Sequence, residues 1–217
     1  MAKRLIVYDL DGTLVDTAED ITEAANHMLS QLSARPMSRE AIRGMVGRGL
    51  HDLVQRCLGT QDEGLILRGT QLFSVYYAAH LDTHSRLYVG ARDTLDHFSS
   101  RTQAVFTNKP QPFARDLLVK LGIAHYFVDV LAPSPGQPKK PDPAQLLQLM
   151  ERLGIAPAET VFIGDSLIDW HTSRNAGVEA LLLTHGFEDH EQLRRAAPSA
   201  LMRDFGDVLQ HAKQSQW

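Results

Sequence analysis

The sequence contains a single cysteine, Cys57, and this excludes an internal disulfide framework. We therefore expect a reducing compartment for the chain and interpret Cys57 as a small core residue rather than a nucleophile. An excess of basic charge is also absent, because the formal net charge is -4 and both signs are interspersed, which disfavours nucleic acid as a partner. We find no apolar run long enough for a signal peptide or a membrane span, so we expect a cytoplasmic protein with no membrane partner.

The sequence does contain enough apolar residues for a large core, at 43% of 217, and its first apolar run is the most informative. Leu5 to Tyr8 predict a buried strand, and Asp9 and Asp11 follow it two positions apart, on the same side of the chain. Ligands of open α/β sheets bind beyond the carboxyl ends of strands, and Gly12 lets the chain turn there. The pair therefore predicts a site in which a cation or a shared proton offsets the repulsion between the carboxylates. An isolated Asp-Gly turn is the alternative interpretation.

Residues 17–85 show helical patterns without an intervening strand, which predicts a helical insertion rather than an alternation of strands and helices. Thr17 with Glu19 and Asp20 predicts a capping box at the start of the first helix. The predicted helices cover about 17–33, 38–45, 49–58 and 62–82. In the last of them, a buried stripe at helical spacing is expected at Leu65, Leu72, Tyr76 and Ala79. We expect these helices to pack around a small core of their own.

From Gly90 onward, strand patterns alternate with helical patterns, which predicts a parallel sheet with right-handed crossovers. The predicted strands cover 103–107, 128–131, 161–163, 180–183 and 200–202. We therefore predict an α/β fold in which a doubly wound, Rossmann-like parallel sheet forms the core and carries an inserted small helical cap domain. The core is expected at 1–16 and 86–217, and the cap at 17–85.

Polar clusters follow three of the predicted strands, at the carboxyl end of each. The clusters are Asp9 with Asp11, Thr107 with Asn108, and Asp165 with Asp169. Because the carboxyl ends of parallel strands share one edge of the sheet, we expect these clusters to converge. Carboxylates without histidine or cysteine at ligand spacing favour a hard cation such as Mg²⁺, beside which Lys140 and Thr107 can bind an anion. An aspartate can then act as a nucleophile and form an aspartyl-phosphate while a second group moves protons.

Four stretches in this order resemble the motifs of the haloacid dehalogenase superfamily of phosphohydrolases. They are DLDGTLVD at 9–16, TN at 107–108, KPDP at 140–143 and GDSLID at 164–169. The resemblance implies that Asp9 is the nucleophile and a metal ligand. It also implies that Asp11 is the general acid and base, with its backbone carbonyl on the metal, and that Lys140 neutralises Asp9 and the phosphoryl group.

The resemblance implies roles for the remaining site residues as well. Thr107 and the amide of Asn108 would bind the phosphoryl group, and Asp165 would complete the metal ligands. Asp169 would orient a metal-bound water or Lys140, or else cap a helix, and we keep it among the candidate metal residues.

Within that superfamily the chain most resembles the phosphoglycolate phosphatases, through VGRGL at 46–50, TNKP at 107–110 and THG at 184–186. This resemblance implies a small-molecule phosphoester substrate and favours phosphoglycolate. Arg48 in the first of these stretches is a candidate to contact the organic part of the substrate, whereas Lys109 is expected at the surface.

Other functions stay open at this point. A sugar phosphomutase of the same fold would use the same aspartates, and a catalytically silent regulatory or binding module would keep the fold alone. A dehalogenase is disfavoured, because hydrolysis at carbon does not need Asp11. The sequence contains no signal for an oligomeric state.

Overall fold

A short apolar strand at Leu5–Tyr8 forms the middle of a six-stranded parallel sheet. The structure is a computed structural model and describes residues 2–134, 136–196 and 200–217. In chain order its strands are β1 (Leu5–Tyr8), β2 (Val15–Asp16), β3 (Arg86–Leu87), β4 (Thr102–Phe106), β5 (Asp129–Leu131), β6 (Thr160–Gly164), β7 (Glu179–Leu183) and β8 (Ala200–Met202). The sheet has the order β5-β4-β1-β6-β7-β8 with every pair parallel, which confirms the predicted parallel sheet.

The register of β1 against its two neighbours decides where a site can form. Tyr8 lies opposite Val105 of β4 and Ile163 of β6, so the three strands end at nearly the same level. Since β4 and β6 lie on opposite sides of β1, the strand order reverses at this point. Ligands of doubly wound sheets bind in the crevice that such a reversal creates.

Helices α5 to α10 belong to the core, and those of the core that pack on the sheet cover both of its faces. In chain order, all α-helices of the described chain are α1 (Ala18–Gln31), α2 (Arg39–Arg43), α3 (Leu50–Leu58), α4 (Glu63–His80), α5 (Ala91–His97), α6 (Gln111–Lys120), α7 (Ala144–Leu153), α8 (Leu167–Ala176), α9 (His190–Arg195) and α10 (Phe205–Gln214). Leu5 and Val7 pack with Leu146 of α7, whereas Ile6 and Tyr8 belong to the cluster that includes α5, α6 and α10. Because side chains of a strand alternate between its two faces, this division confirms the doubly wound fold.

Helices α1 to α4 form the inserted cap, but they do not enclose a separate core. One continuous cluster of buried side chains extends from Tyr8 on the sheet to Met28 in α1 and Phe73 in α4. Leu10 and Leu14 in the first crossing are fully buried and connect the two parts. The expectation that the cap has a core of its own is therefore wrong, because the buried leucines of the first crossing join the apolar side chains of the cap to those of the sheet.

The buried face of α4 is shifted by one position from the predicted stripe. The buried residues of this helix are Ile66, Gly69, Phe73 and Tyr77. Of the predicted residues, Ala79 is exposed, and those only half-buried are Leu65, Leu72 and Tyr76. A Cβ on Gly69 would lie 2.8 Å from Val54 Cγ1, so the missing side chain lets α4 approach α3 closely. The predicted stripe is wrong because α4 packs against α3 along the face that carries Gly69.

The two crossings between core and cap pair as a short antiparallel ribbon of β2 and β3, which no sequence pattern indicated. Thr17 precedes α1, but its hydroxyl donates to Asp11 Oδ1 instead of accepting from the helix. Asp20 is fully buried and accepts hydrogen bonds from the backbone N–H groups of His84 and Ser85. The predicted capping box is therefore wrong, because both side chains bind outside the helix.

The domain boundaries at 16/17 and 85/86 stay a prediction. The predicted core segments include residues 1, 135 and 197–199, which lie outside the described residues. Within the described part of the chain, no helix combines the length and the apolarity that crossing a membrane requires.

Candidate active site

Three carboxylates meet where β1 and β6 end. Asp9 directly follows β1, Asp165 directly follows β6, and Asp169 lies in the first turn of α8. One carboxylate oxygen from each residue lies within 4.8 Å of those from the other two, and all three residues are buried. The structure thus brings these candidate residues together, while their catalytic and metal-binding roles stay predictions.

Lys140 lies between two of these carboxylates, on the loop before α7. Its Nζ is 2.7 Å from Asp9 Oδ1 and 2.7 Å from Asp169 Oδ1, and its side chain is almost fully buried. Burial by itself would lower the pKa of Lys140, but the attraction of Asp169 and Asp9 outweighs burial and raises it. Lys140 is therefore a fixed positive charge beside Asp9.

The cluster has more negative than positive charge. With Asp9, Asp165 and Asp169 all ionised, the ammonium group of Lys140 offsets one negative charge, and two are left without a counter-charge among the described residues of the cluster. Burial raises the pKa of both Asp9 and Asp165, and repulsion from Asp169 adds to it. Lys140 Nζ lies 2.7 Å from the buried Asp9 Oδ1, and this ion pair opposes the rise in the pKa of Asp9 without cancelling it. A hard divalent cation such as Mg²⁺ fits this all-oxygen cluster and its excess charge.

The chain holds the carboxylate of Asp165 from two sides. Its Oδ1 accepts from Thr13 Oγ1 at 2.7 Å, and its Oδ2 accepts from the Phe187 backbone N–H at 2.7 Å. Gly12 and Gly186 leave room for it, since a Cβ on Gly186 would lie 2.2 Å from Asp165 Cβ. These contacts fix the orientation of the carboxylate, as metal ligands require.

Both carboxylate oxygens of Asp169 are engaged. Oδ1 accepts from Lys140 Nζ, and Oδ2 accepts from Ser166 Oγ at 2.7 Å and from the Ser166 backbone N–H at 3.1 Å. Ser166 is the N-cap of α8, and Asp169 is the third residue of the capping box. Asp169 is therefore not the N-cap residue itself, but its Oδ2 does help to cap α8 from the third helical position, while its Oδ1 holds Lys140.

Asp11 lies beside the cluster and is bound through one oxygen. Its Oδ1 accepts from Thr17 Oγ1 at 2.7 Å and from Lys109 Nζ at 2.9 Å. Lys109 is buried and also donates to Tyr77 Oη at 2.7 Å, so the surface position expected for this lysine is wrong. Its burial is compensated because a carboxylate and a phenol bind its ammonium group. A turn in which Thr107 Oγ1 accepts from the Lys109 backbone N–H places the lysine at the site.

Thr107 and Asn108 follow β4 at the same edge of the sheet. Asn108 Nδ2 donates to the carbonyls of Gly47 at 2.9 Å and Lys140 at 3.0 Å, and its Oδ1 accepts from the Lys140 backbone N–H at 2.9 Å. The Asn108 side chain therefore connects the Lys140 loop to the cap. Its backbone N–H makes no hydrogen bond to another described residue and is free to bind an anion.

Two cavities bounded by described residues open onto the aspartates. The larger, of about 300 Å³, is mainly polar and is lined by Asp9, Asp11 and Asp165. Arg48 also lines it and is exposed, while its backbone carbonyl accepts from Lys139 Nζ at 2.6 Å. The smaller cavity, of about 50 Å³, contacts Asp9 and Asp11 and is otherwise bounded by apolar and aromatic side chains, among them Leu50, Leu53, Phe73, Tyr77 and Phe113.

Arg43 of α2 also lines the larger cavity, and sequence reasoning missed it. Its guanidinium lies 5.5 Å from the centre of the Phe187 ring and donates to the Gly186 carbonyl. No motif marks Arg43, since only the packing of α2 on the loop after β7 places it there. Lys109 was missed as well, although its position directly after the Thr107-Asn108 cluster was a usable signal.

The chain is similar over nearly its whole length to proteins of one family. A family model described as haloacid dehalogenase-like hydrolase matches residues 6–183. A phosphoglycolate phosphatase from Vibrio parahaemolyticus is 34% identical over 216 residues, which cover 95% of this chain and 95% of that protein. Phosphoglycolate phosphatase 1 from Pseudomonas aeruginosa is 33% identical over 219 residues, 98% of this chain and 80% of that protein. Among solved structures, one described as a predicted phosphoglycolate phosphatase from Haemophilus somnus has a TM-score of 0.91 at 29% identity, covering 97% of this chain and 98% of that one.

Proposed function

The chain belongs to the haloacid dehalogenase-like hydrolases, and we propose that it is a Mg²⁺-dependent phosphatase acting on a small phosphorylated metabolite. Phosphoglycolate is the favoured substrate, because relatives with 33% and 34% identity over most of the chain are named phosphoglycolate phosphatases. The proposed reaction passes through a phosphoryl group on Asp9.

The position of Asp9 is the observation that carries the proposal. Asp9 follows the central strand, lines both cavities, and its Oδ1 lies 2.7 Å from Lys140 Nζ. Lys140 beside it offsets the negative charge that accumulates when a carboxylate approaches a phosphate ester. An aspartate held in this way can act as a nucleophile.

The reaction divides into two transfers. In the first, a carboxylate oxygen of Asp9 attacks phosphorus, the bond from phosphorus to the ester oxygen breaks, and Asp11 gives its proton to the departing alkoxide. In the second, water attacks the phosphorus of the aspartyl-phosphate, one of its protons passes to Asp11, and the bond to Asp9 breaks to release inorganic phosphate. Asp9 and Asp11 thereby return to their starting states.

Donors around Asp9 bind the phosphoryl group and the rest of the substrate. The hydroxyl of Thr107, the backbone N–H of Asn108 and the ammonium of Lys140 bind the phosphoryl oxygens. Arg43 and Arg48 line the larger cavity, where their positive charge favours a leaving group with a carboxylate, as phosphoglycolate has.

Oxygen ligands for the metal come from the ends of β1 and β6. Asp9, Asp165 and the backbone carbonyl of Asp11 would hold Mg²⁺, and the bound ion supplies positive charge against the phosphoryl oxygens. Asp169 keeps Lys140 in place through its Oδ1, at 2.7 Å.

Release of inorganic phosphate from phosphoglycolate tests the proposal. Asp9→Asn is expected to lower kcat by about 10⁴-fold or more, because the nucleophile is lost. Chelation of the metal is expected to abolish turnover, and added Mg²⁺ to restore it. Asp142→Asn is the control, since Asp142 is an exposed carboxylate of the KPDP stretch and should keep turnover within about twofold.

Other outcomes would contradict the proposal. Metal-independent turnover, or turnover that survives Asp9→Asn, would remove the proposed mechanism. An isomeric sugar phosphate as product, in place of inorganic phosphate, would indicate a phosphomutase. Folded protein that turns over no phosphoester in a broad panel would indicate a silent binding module.

A further inference from the structure

Lys109 joins a residue of the cap to a residue of the proposed catalytic pair. Its Nζ donates to Asp11 Oδ1 at 2.9 Å and to Tyr77 Oη at 2.7 Å, and it lies 4.7 Å from the centre of the Tyr77 ring. The Lys109 side chain is only 4% exposed. A buried ammonium group costs hydration energy, and it persists only where its partners compensate that loss. Lys109 is therefore held at one place by Asp11 and Tyr77 together.

The two donors to Asp11 bind the same carboxylate oxygen. Thr17 Oγ1 and Lys109 Nζ both donate to Oδ1, at 2.7 and 2.9 Å, and no hydrogen bond from the described residues reaches Oδ2. One oxygen is thus anchored while the other is free to exchange a proton with a bound ester. The terminal torsion of an aspartate has a broad energy profile, so without an anchor the carboxyl group can turn away.

We propose that Lys109 is a positioning residue that orients the carboxyl group of Asp11 for proton transfer, and that Tyr77 makes this orientation depend on the cap. The proposal rests on the phosphatase function, in which Asp11 protonates the departing alkoxide. Tyr77 lies in α4, stacked on Phe73 at 5.3 Å and edge-on to Phe113 of α6 at 5.2 Å between ring centres. When α4 moves away from the core, Lys109 loses one of its two partners and the anchor of Asp11 loosens.

An orienting role has a signature that a purely structural role lacks. An alkyl phosphate such as phosphoglycolate releases a strongly basic alkoxide, which needs a proton as its bond to phosphorus breaks. The aryl ester 4-nitrophenyl phosphate releases a phenolate that is stable without that proton. Loss of orientation therefore slows the alkyl ester far more than the aryl ester, whereas damage to the fold slows both.

The test compares kcat/KM for the two esters, because this constant covers the steps up to the breaking of the ester bond. Lys109→Met keeps most of the length of the side chain and removes its charge. We expect kcat/KM of this variant to fall by about 10- to 100-fold for phosphoglycolate, the effect of one hydrogen bond to a charged group while the bond from Thr17 remains. For 4-nitrophenyl phosphate we expect a fall of less than about threefold.

A second variant isolates the contribution of the cap. Tyr77→Phe removes one hydroxyl and keeps the ring among its aromatic neighbours, so it is expected to fold. We expect this variant to lower the ratio of kcat/KM for phosphoglycolate to kcat/KM for 4-nitrophenyl phosphate by about fivefold, which is the effect of one hydrogen bond. If Lys109→Met does not fold, Tyr77→Phe alone tests whether the contact of Lys109 with the cap orients Asp11.

Lys120→Met is the matched control. Lys120 of α6 also connects core and cap, through Asp82 Oδ1 at 2.9 Å, but it contacts neither Asp11 nor the two cavities at the aspartates. We expect any change in this variant to be equal for the two esters.

The outcomes separate this proposal from the one on which it rests. Wild-type protein that hydrolyses both esters, with Lys109→Met and Tyr77→Phe variants that lose both activities equally, overturns the positioning role and leaves the phosphatase function intact. Wild-type protein that hydrolyses neither ester overturns the phosphatase function and the positioning role with it.

Discussion

Thr13 shows how a single hydroxyl group supports the site. This residue is fully buried, and its Oγ1 donates to Asp165 Oδ1 at 2.7 Å. Donors of this kind hold a carboxylate in the orientation that metal binding needs, and their loss typically lowers metal affinity by about 10- to 100-fold. The contribution of Thr13 to the proposed Mg²⁺ site can therefore be measured separately from that of the carboxylate.

We expect Thr13→Val to raise the Mg²⁺ concentration needed for half-maximal turnover by about tenfold, because valine keeps the shape and removes the donor. Calorimetric titration with Mg²⁺ measures the same effect without turnover. Thr172→Val is the control, since Thr172 is equally buried and its hydroxyl donates at 2.7 Å to a helix carbonyl, that of Ile168. An unchanged Mg²⁺ dependence in Thr13→Val would argue against Asp165 as a metal ligand.

At the scale of the elements, Asp20 ties the first helix of the cap to the segment that returns to the core. Its Oδ1 accepts from the His84 backbone N–H at 2.9 Å, and its Oδ2 accepts from the Ser85 backbone N–H at 2.8 Å and from Ser85 Oγ at 2.6 Å. Because α1 begins just after the first crossing and Ser85 directly precedes β3, one carboxylate holds both crossings together.

Asp20→Ala is expected to lower the free energy of unfolding by about 2–3 kcal/mol, because it leaves buried N–H groups without an acceptor. Urea unfolding followed by circular dichroism measures this change. Glu19→Ala is the matched control on the same helix, where only a partly exposed ion pair with Arg39 is lost, at an expected cost below about 1 kcal/mol. Similar losses in the two variants would show that Asp20 does not hold the crossings.

At the scale of the whole molecule, the cap lies over the site, and two of its polar contacts with the core are made by backbone carbonyl groups of the cap. Asn108 Nδ2 donates to the Gly47 carbonyl at 2.9 Å, and Lys139 Nζ donates to the Arg48 carbonyl at 2.6 Å. Hydrogen bonds of this kind can break as the cap opens, because water replaces the lost partners. We therefore expect the short ribbon of β2 and β3 to act as a hinge, with closure excluding water from the reaction and opening releasing the product.

A reversible cross-link tests this motion. Arg48→Cys and Lys139→Cys in a Cys57→Ser background place thiols on the two sides of one cap contact. Cross-linking with a bismaleimide that contains a disulfide is expected to lower turnover of phosphoglycolate by at least about tenfold, because a locked cap admits no substrate. Reduction of the linker should restore the activity of the uncross-linked variant, which serves as its own control. Full turnover after complete cross-linking would contradict cap motion.

The fold was predictable where local patterns are long enough to read. Strands β4, β6 and β7 were predicted within two residues of their ends, because buried strands of a parallel sheet are continuous apolar runs. The two residues of β2 and of β3 are too few for any periodicity, and they pair only because the cap brings the crossings together. The buried face of α4 was not predictable, because it is set by the close contact of Gly69 with Val54 of the neighbouring helix α3.

The convergence of Asp9, Asp165 and Asp169 was predictable for a related reason. Each follows a strand or begins the next helix, and the parallel sheet places such positions at one edge. Lys109 lies next to the same edge, but its burial was not predictable, since it requires the phenol of Tyr77 from a different part of the chain.

The sequence by itself determined the fold class and the edge of the sheet at which the carboxylates gather, because both follow from hydrophobic periodicity and from where each strand ends. Only the tertiary structure decided which partners those side chains find. Lys109 meets Asp11 across 98 positions of the chain, and Thr13 meets Asp165 across 152. Such pairs form because burial removes charged and polar groups from water and leaves them only the partners that the packed elements supply.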